Sequence, residues 1–82
     1  MKTRKLALGN RNMIGARVTE ARLKQGMKQC ELLARLQTAG VDMSTPALSL
    51  LEGQKRPVTD IELNALATIL EVSVDWLLGR EQ

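Results

Sequence analysis

Apolar residues recur along this chain at the three- and four-residue spacing of amphipathic helices, and glycines divide the pattern into short segments. The first helix is expected over about residues 13–25, with Asn12 as its cap and Gly26 at its end. Its inward stripe contains Ile14, Val18, Ala21 and Arg22. An arginine on an inward stripe needs a partner. No segment alternates in the manner of a strand.

Two shorter helices are predicted to follow. The second covers about residues 29–39, and Gly40 is placed to take the left-handed conformation that ends a helix. Its predicted buried residues are Leu32, Leu33, Leu36 and Ala39. The third covers about residues 46–52, with Thr45 as its cap because a residue before proline avoids the helical region. At 100° per residue, Leu48, Leu51 and Glu52 share the inward side, whereas Pro46, Ser49 and Leu50 face outward.

The last third of the chain predicts two further helices. Thr59 and Glu62 form a capping box that opens a helix ending near Leu70, and Ser73 caps a helix of one or two turns. The fourth helix has a core stripe of Leu63, Leu66, Ala67 and Leu70 and a second apolar stripe of Ile61, Ala65 and Ile69. The second stripe predicts a homodimer. The alternative is that helix five, Trp76, Leu6 or Leu8 covers it.

With 82 residues, the chain is expected to form one small all-α domain, too small for a large catalytic cleft. We expect a basic N-terminal arm over residues 1–11, the helical domain over residues 12–79 and a C-terminal tail over residues 80–82. Apolar runs do not exceed four residues, so no membrane segment or targeting signal is predicted.

The chemical inventory excludes several functions. The chain has no histidine, so imidazole catalysis and the usual histidine-containing zinc sites are excluded. Cys30 is the single cysteine, so the chain can form no internal disulfide, which is typical of a protein from a reducing cytoplasm. Cys30 is expected to be a small packing residue. We therefore predict no catalytic residue, cofactor, metal or small-molecule substrate.

Charge is distributed unevenly along the chain. Residues 1–28 contain eight lysines and arginines and one acid, a net charge of +7, whereas residues 29–82 contain four cations and eight acids, a net charge of −4. The total of +3 therefore conceals a strongly basic end, which indicates a polyanionic partner. The alternative is a solvated charged face that has no partner.

Residues 14–78 combine four short motifs in a fixed order. They are Gly26-Met27-Lys28-Gln29 with Glu31-Leu32, then Leu48 to Glu52, Val58 to Leu63, and Val72 to Leu78. In this order and spacing they resemble the Xre/Cro-like phage-repressor helix-turn-helix family. The resemblance implies a compact five-helix, lambda-repressor-like domain that regulates transcription without catalysis. Helices two and three would form the helix-turn-helix and bind operator DNA, the third helix in the major groove.

The resemblance also implies roles for individual residues. Gln29 matches a glutamine that binds phosphate, the alternative being a helix opening that contacts only solvent. Arg22 and Glu52 match a partly buried ion pair with a scaffold role. The residues implied to contact double-stranded DNA are Lys28, Gln29, Ser44, Thr45, Ser49, Leu50, Lys55 and Arg56.

The chain departs from the family pattern at four places, one of which is Leu33, where relatives favour a small residue for close helix packing. Residues 37–42 suggest an insertion of about five residues before helix three, and Glu71 stands where glycine often ends helix four. The outward face of helix three has no side chain that reads a base with two hydrogen bonds. Specificity would then be modest or depend partly on DNA shape. The second hypothesis is a protein-interaction module that uses Pro46 and Leu50.

Overall fold

The computed structural model describes residues 8–81, and its regular structure is entirely helical. Its helices are α1 (Gly15–Lys24), α2 (Gln29–Thr38), α3 (Thr45–Glu52), α4 (Asp60–Leu70) and α5 (Val74–Leu77). No strand occurs within residues 8–81. The predicted all-α class is therefore confirmed, and the helix bounds agree with the sequence prediction to about two residues.

Side chains from every helix meet in one core. α1 and α2 each pack against both α3 and α4, and α5 packs against α4. The largest fully buried side chains are Val18, Leu32, Leu36, Leu48, Leu51, Leu66, Leu70 and Leu77. Burial of such side chains stabilises the domain by roughly 1.5 to 3 kcal/mol each before the entropy of ordering the chain is counted. α3 is therefore held on its inner side by the two preceding helices.

The predicted helix ends at residues 40, 59 and 73 are confirmed. Thr59 Oγ1 accepts from the backbone N–H of Glu62 at 3.1 Å, and the Glu62 carboxylate accepts from the N–H of Thr59 at 3.0 Å. Ser73 Oγ accepts from the N–H of Trp76 at 2.9 Å. Gly40 is left-handed with φ of 88°. Glu71 ends α4 with φ of 59°, a conformation that glycine adopts with less strain.

Three local predictions were wrong. Ser44, and not Thr45, caps α3, because the extended backbone of Ser44 lets its Oγ accept from the N–H of Ala47 at 3.2 Å. Ala39 is exposed and not buried, because α2 ends at Thr38 and the chain turns away at Gly40. Cys30 is exposed near the start of α2 and is not a packing residue.

The connector between α2 and α3 is packed into the domain. Val41 and Met43 are buried, and the N–H of Val41 donates to the carbonyl of Leu36 at 2.9 Å. Gln37 Nε2 donates to the carbonyl of Met43 at 3.2 Å. The connector is therefore anchored at both ends and fixes where α3 begins relative to α2.

The first turn of α1 lies against the C-terminal end of α3. The cap position of α1 is Ile14, two residues after the predicted cap Asn12. Asn12 Oδ1 nevertheless accepts from the N–H groups of Ile14 and Gly15 at 3.0 and 2.9 Å. Asn12 Nδ2 donates to the carbonyls of Leu51 and Arg56 at 3.1 and 2.9 Å. Gly15 permits this approach, because a Cβ there would overlap the carbonyl oxygen of Leu51.

Part of the segment predicted as an arm belongs to the packed domain. The N–H of Gly9 donates to the carbonyl of Gly53, and the N–H of Arg11 donates to the carbonyl of Gln54, both at 2.9 Å. The packed domain therefore begins at Gly9 and not at residue 12. The other predicted arm residues Lys2, Arg4, Lys5 and Leu6 lie outside the described residues.

The helices are short compared with the thickness of a membrane. The longest described helix has 11 residues, whereas a membrane span needs roughly 20. Among residues 8–81, no helix is long and apolar enough to cross a membrane.

Candidate nucleic-acid interface

The two sides of α3 differ in chemistry as predicted. Leu48, Leu51 and Glu52 are buried. The exposed residues are Thr45, Pro46, Ser49 and Leu50, and Leu50 keeps 45% of its surface accessible. This outer face therefore presents two hydroxyl groups and two apolar side chains to solvent.

A buried ion pair fixes α3 against α1. Arg22 Nε and Nη2 donate to the two carboxylate oxygens of Glu52 at 2.9 and 3.0 Å, and the two side chains are only 11% and 6% exposed. Arg22 Nη1 also donates to the carbonyl of Met27 at 2.9 Å. The predicted pair is confirmed, and it links α1, the turn before α2 and the end of α3.

Glu52 continues into a hydrogen-bond network that sequence analysis missed. Thr19 Oγ1 and Gln29 Nε2 also donate to Glu52 Oε1, at 2.9 and 3.2 Å. Ser49 Oγ in turn donates to Gln29 Oε1 at 3.0 Å. We call Glu52, Gln29 and Ser49 the α2–α3 relay. Its signal in the sequence is weak, because the three residues are 3 to 23 positions apart and belong to two helices.

Gln29 has a structural partner on each side of its amide. This contact set differs from both sequence interpretations, a phosphate ligand and a solvent-exposed helix opening. One hydrogen of Gln29 Nε2 is donated to Glu52. The second hydrogen can be donated to another acceptor. The phosphate contact of Gln29 stays a prediction.

Two exposed lysines lie close in sequence or in space to residues of α3. Lys28 is exposed and directly precedes Gln29, which is bonded to Ser49. Lys55 is exposed, and its N–H donates to the carbonyl of Leu50 at 2.8 Å. Between residues 44 and 58 the sequence has one carboxylate, Glu52, and this group is buried and paired with Arg22. The charges of Lys28 and Lys55 are therefore not offset by an exposed carboxylate in this stretch.

Arg56 turns toward α4 instead of extending freely from the loop. Its Nη1 and Nη2 donate to the two carboxylate oxygens of Glu62, both at 3.2 Å. Burial by itself would raise the pKa of Glu62. Hydrogen bonds from Arg56 and Thr59 lower the pKa by more than burial raises it, so the pKa lies below its ordinary value. Arg56 thus has a scaffold partner that sequence analysis did not identify.

The N-terminal end of α3 holds the two remaining predicted site residues. Ser44 and Thr45 are both exposed, and Ser44 Oγ accepts the capping bond from Ala47. Taken together, the structure brings Gln29 and Ser49 into contact, places Ser44, Thr45 and Leu50 on or beside the same face, and directs Arg56 to Glu62.

The second apolar stripe of α4 is only partly open. Ile61 is 70% exposed, whereas Ala65 and Ile69 are partly buried against the core. Two of the three positions of the stripe are therefore less exposed than a free dimer surface would be, and the homodimer stays a prediction.

The structure described is a small all-helical domain with one exposed helix face that has no exposed carboxylate. Comparisons with protein-family models, with curated proteins and with solved structures found no match to this chain.

Proposed function

We propose that this protein is a non-enzymatic DNA-binding transcriptional regulator of the phage-repressor type. In this proposal α2 and α3 act as a helix-turn-helix, and α3 enters the major groove of operator DNA. The observation that carries the proposal is the exposed outer face of α3, with the exposed lysines Lys28 and Lys55 next to residues that contact it. The charge of +7 over residues 1–28 supports it, because phosphate contacts supply most of the non-specific affinity for DNA.

In this proposal, different residues contact the bases and the phosphates. The major groove is about 12 Å wide and admits a helix, so Thr45, Ser49 and Leu50 would approach the base edges. Lys28 and Lys55 would lie at the groove borders and contact phosphates, which position the protein without reading sequence. The free amide hydrogen of Gln29 would add a third phosphate contact.

The N-terminal arm would add cations on the same side of the domain. The N–H of Gly9 donates a hydrogen bond to the carbonyl of Gly53, the residue directly after α3. Gln54 Nε2 donates to the carbonyl of Gly9 at 3.2 Å. Residues 1–7 are joined to the domain at this place and contain Lys2, Arg4 and Lys5. We propose that this arm contacts the DNA backbone or minor groove next to the site of α3.

A titration with random-sequence duplex DNA tests the proposal. Fluorescence anisotropy at low salt should show binding that weakens steeply as salt is raised, since each phosphate contact releases counterions. A second titration at physiological salt should give a dissociation constant of roughly 10⁻⁴ to 10⁻⁶ M for non-specific sites. Absence of binding at low salt would contradict the proposal.

The second candidate function is a protein-interaction module on the same fold. The exposure of Pro46 and Leu50 favours it, because an apolar outer face can also contact a protein. Leu50→Gln separates the two candidates. If Leu50 contacts DNA, the variant should change the sequences selected from a random duplex pool, by roughly 1 to 3 kcal/mol at one base pair. An unchanged selection would favour the protein-interaction module.

We also propose that the protein binds DNA as a homodimer through Ile61 and its neighbours Ala65 and Ile69. Two-fold symmetry would place two copies of α3 about 34 Å apart, on successive major grooves. Sedimentation of the protein with and without duplex DNA measures this directly. A monomer at high micromolar concentration under both conditions would exclude the dimer.

A further inference from the structure

The α2–α3 relay fixes the orientation of the Gln29 amide. In a side-chain amide, the oxygen accepts hydrogen bonds and the nitrogen donates them. Glu52 faces the Arg22 guanidinium as a carboxylate and can only accept hydrogen bonds. Gln29 must therefore turn Nε2 toward Glu52, at 3.2 Å, and Oε1 toward Ser49, at 3.0 Å.

This orientation also fixes the role of the Ser49 hydroxyl. Because Gln29 Oε1 only accepts, Ser49 must use its one hydrogen to donate to it. The remaining capacity of Ser49 Oγ is then that of an acceptor, and Ser49 is exposed on the outer face of α3. A serine without such a partner rotates its hydroxyl and either donates or accepts, so it discriminates poorly between bases.

We infer that Ser49 is a specificity-determining residue that acts as a fixed hydrogen-bond acceptor and selects a base with an amino group in the major groove. The inference rests on the proposed function. Adenine N6 and cytosine N4 present such donors, whereas guanine O6 and thymine O4 present acceptors. Ser49 therefore favours adenine or cytosine over guanine or thymine at the base that it contacts, and Gln29 acts as its positioning residue.

Selection from a random duplex pool, followed by affinity measurements on the selected duplex, tests this polarity. Wild type should enrich adenine or cytosine at one position, with roughly three- to tenfold weaker binding when guanine or thymine replaces it, the range expected for one hydrogen bond. Ser49→Ala should remove the preference at that position. Gln29→Ala should release the hydroxyl to rotate, so guanine and thymine are then accepted there.

Lys28→Ala is the matched control, because Lys28 lies beside Gln29 and its removal eliminates a charge without changing the relay. It should weaken binding to all sequences about equally and keep the base preference. Circular dichroism checks that each variant is folded.

A measurement with the wild-type protein does not depend on any variant. In a selected duplex with adenine at the Ser49 position, replacing adenine by purine removes the 6-amino group and should weaken binding roughly three- to tenfold. Replacing it by 7-deazaadenine, which keeps that amino group, should leave binding nearly unchanged.

The outcomes separate the two proposals. Absence of wild-type binding to the random pool would overturn both. Binding with guanine or thymine enriched at the position that Ser49→Ala alters, or equal binding of the adenine and purine duplexes, would overturn the polarity inference alone.

Discussion

Two arginine–glutamate pairs connect separate helices or loops of this domain, and they differ in depth. Arg22 and Glu52 meet at 2.9 Å with side chains 11% and 6% exposed. Arg56 and Glu62 meet at 3.2 Å with side chains 26% and 11% exposed. The inner pair joins α1 to α3, whereas the outer pair joins the loop after α3 to the first turn of α4.

The difference in depth determines what each pair contributes. A buried charge that loses its partner keeps its full desolvation cost, so the inner pair is essential once it is present. The outer carboxylate also accepts from the N–H of Thr59, and water reaches Arg56, so loss of one partner is better tolerated. The inner pair therefore holds the candidate DNA-binding face in place, and the outer pair mainly orders a loop beside it.

The largest expected effect comes from removing the inner guanidinium. Arg22→Ala should lower the free energy of unfolding by roughly 3 to 5 kcal/mol, because it leaves Glu52 buried without its cation. This loss is comparable to the total stability of a small domain, which is roughly 5 kcal/mol or more. Urea denaturation followed by circular dichroism measures it. Lys24→Ala, an exposed cation on the same helix, is the control and should change stability by less than about 0.5 kcal/mol.

A smaller, pH-dependent effect is expected from the outer pair. Arg56→Ala should lower the free energy of unfolding by roughly 1 kcal/mol at pH 7, the range of a partly exposed charged pair. The folded-state pKa of Glu62 lies below its ordinary value of 4.5. The stabilisation is therefore fully present above that value and is lost as the pH falls through the folded-state pKa. Urea titrations of both proteins at several pH values measure the difference, and a difference that grows in acid would contradict this account.

The smallest effect distinguishes Arg56 from Lys55 on DNA. Lys55→Ala should lower the slope of log affinity against log salt by roughly one, because a phosphate contact is lost, with little change in stability. Arg56→Ala should change this slope less, because Glu62 already neutralises its charge. Equal slope changes for the two variants would show instead that Arg56 contacts phosphate, as sequence analysis predicts.

The parts of the fold that sequence analysis predicted correctly depend on short-range interactions. The capping box of Thr59 and Glu62 closes over three residues, and the left-handed turn at Gly40 is a property of one residue. The inward side of α3 was predicted for a related reason, because a rotation of 100° per residue determines which side chains share one side of the helix. The cap of α3 was misplaced by one residue because Ser44 and Thr45 both have suitable hydroxyl groups.

The candidate site was predicted less completely. Its exposed residues on α3 follow from periodicity, and the inner ion pair was anticipated from the resemblance together with an arginine on an inward stripe. The partners of Gln29 and Arg56 were missed, because hydrogen bonds between side chains on different elements leave no periodic signal. Asn12 was predicted as a cap two residues before the actual cap position, and its bonds to the carbonyls of Leu51 and Arg56, which span 39 and 44 residues, were not predicted.

The sequence by itself determined an all-helical domain, the outer face of α3 and the uneven charge, because turn chemistry, helical periodicity and charge are local properties. Tertiary structure alone decided that Arg56 faces Glu62 and that Gln29 turns its carbonyl toward Ser49. The physical reason is that a side chain with several possible partners adopts the one that packing brings within about 3 Å. The direction of the Ser49 hydroxyl is set in this way by the buried carboxylate of Glu52, through Gln29.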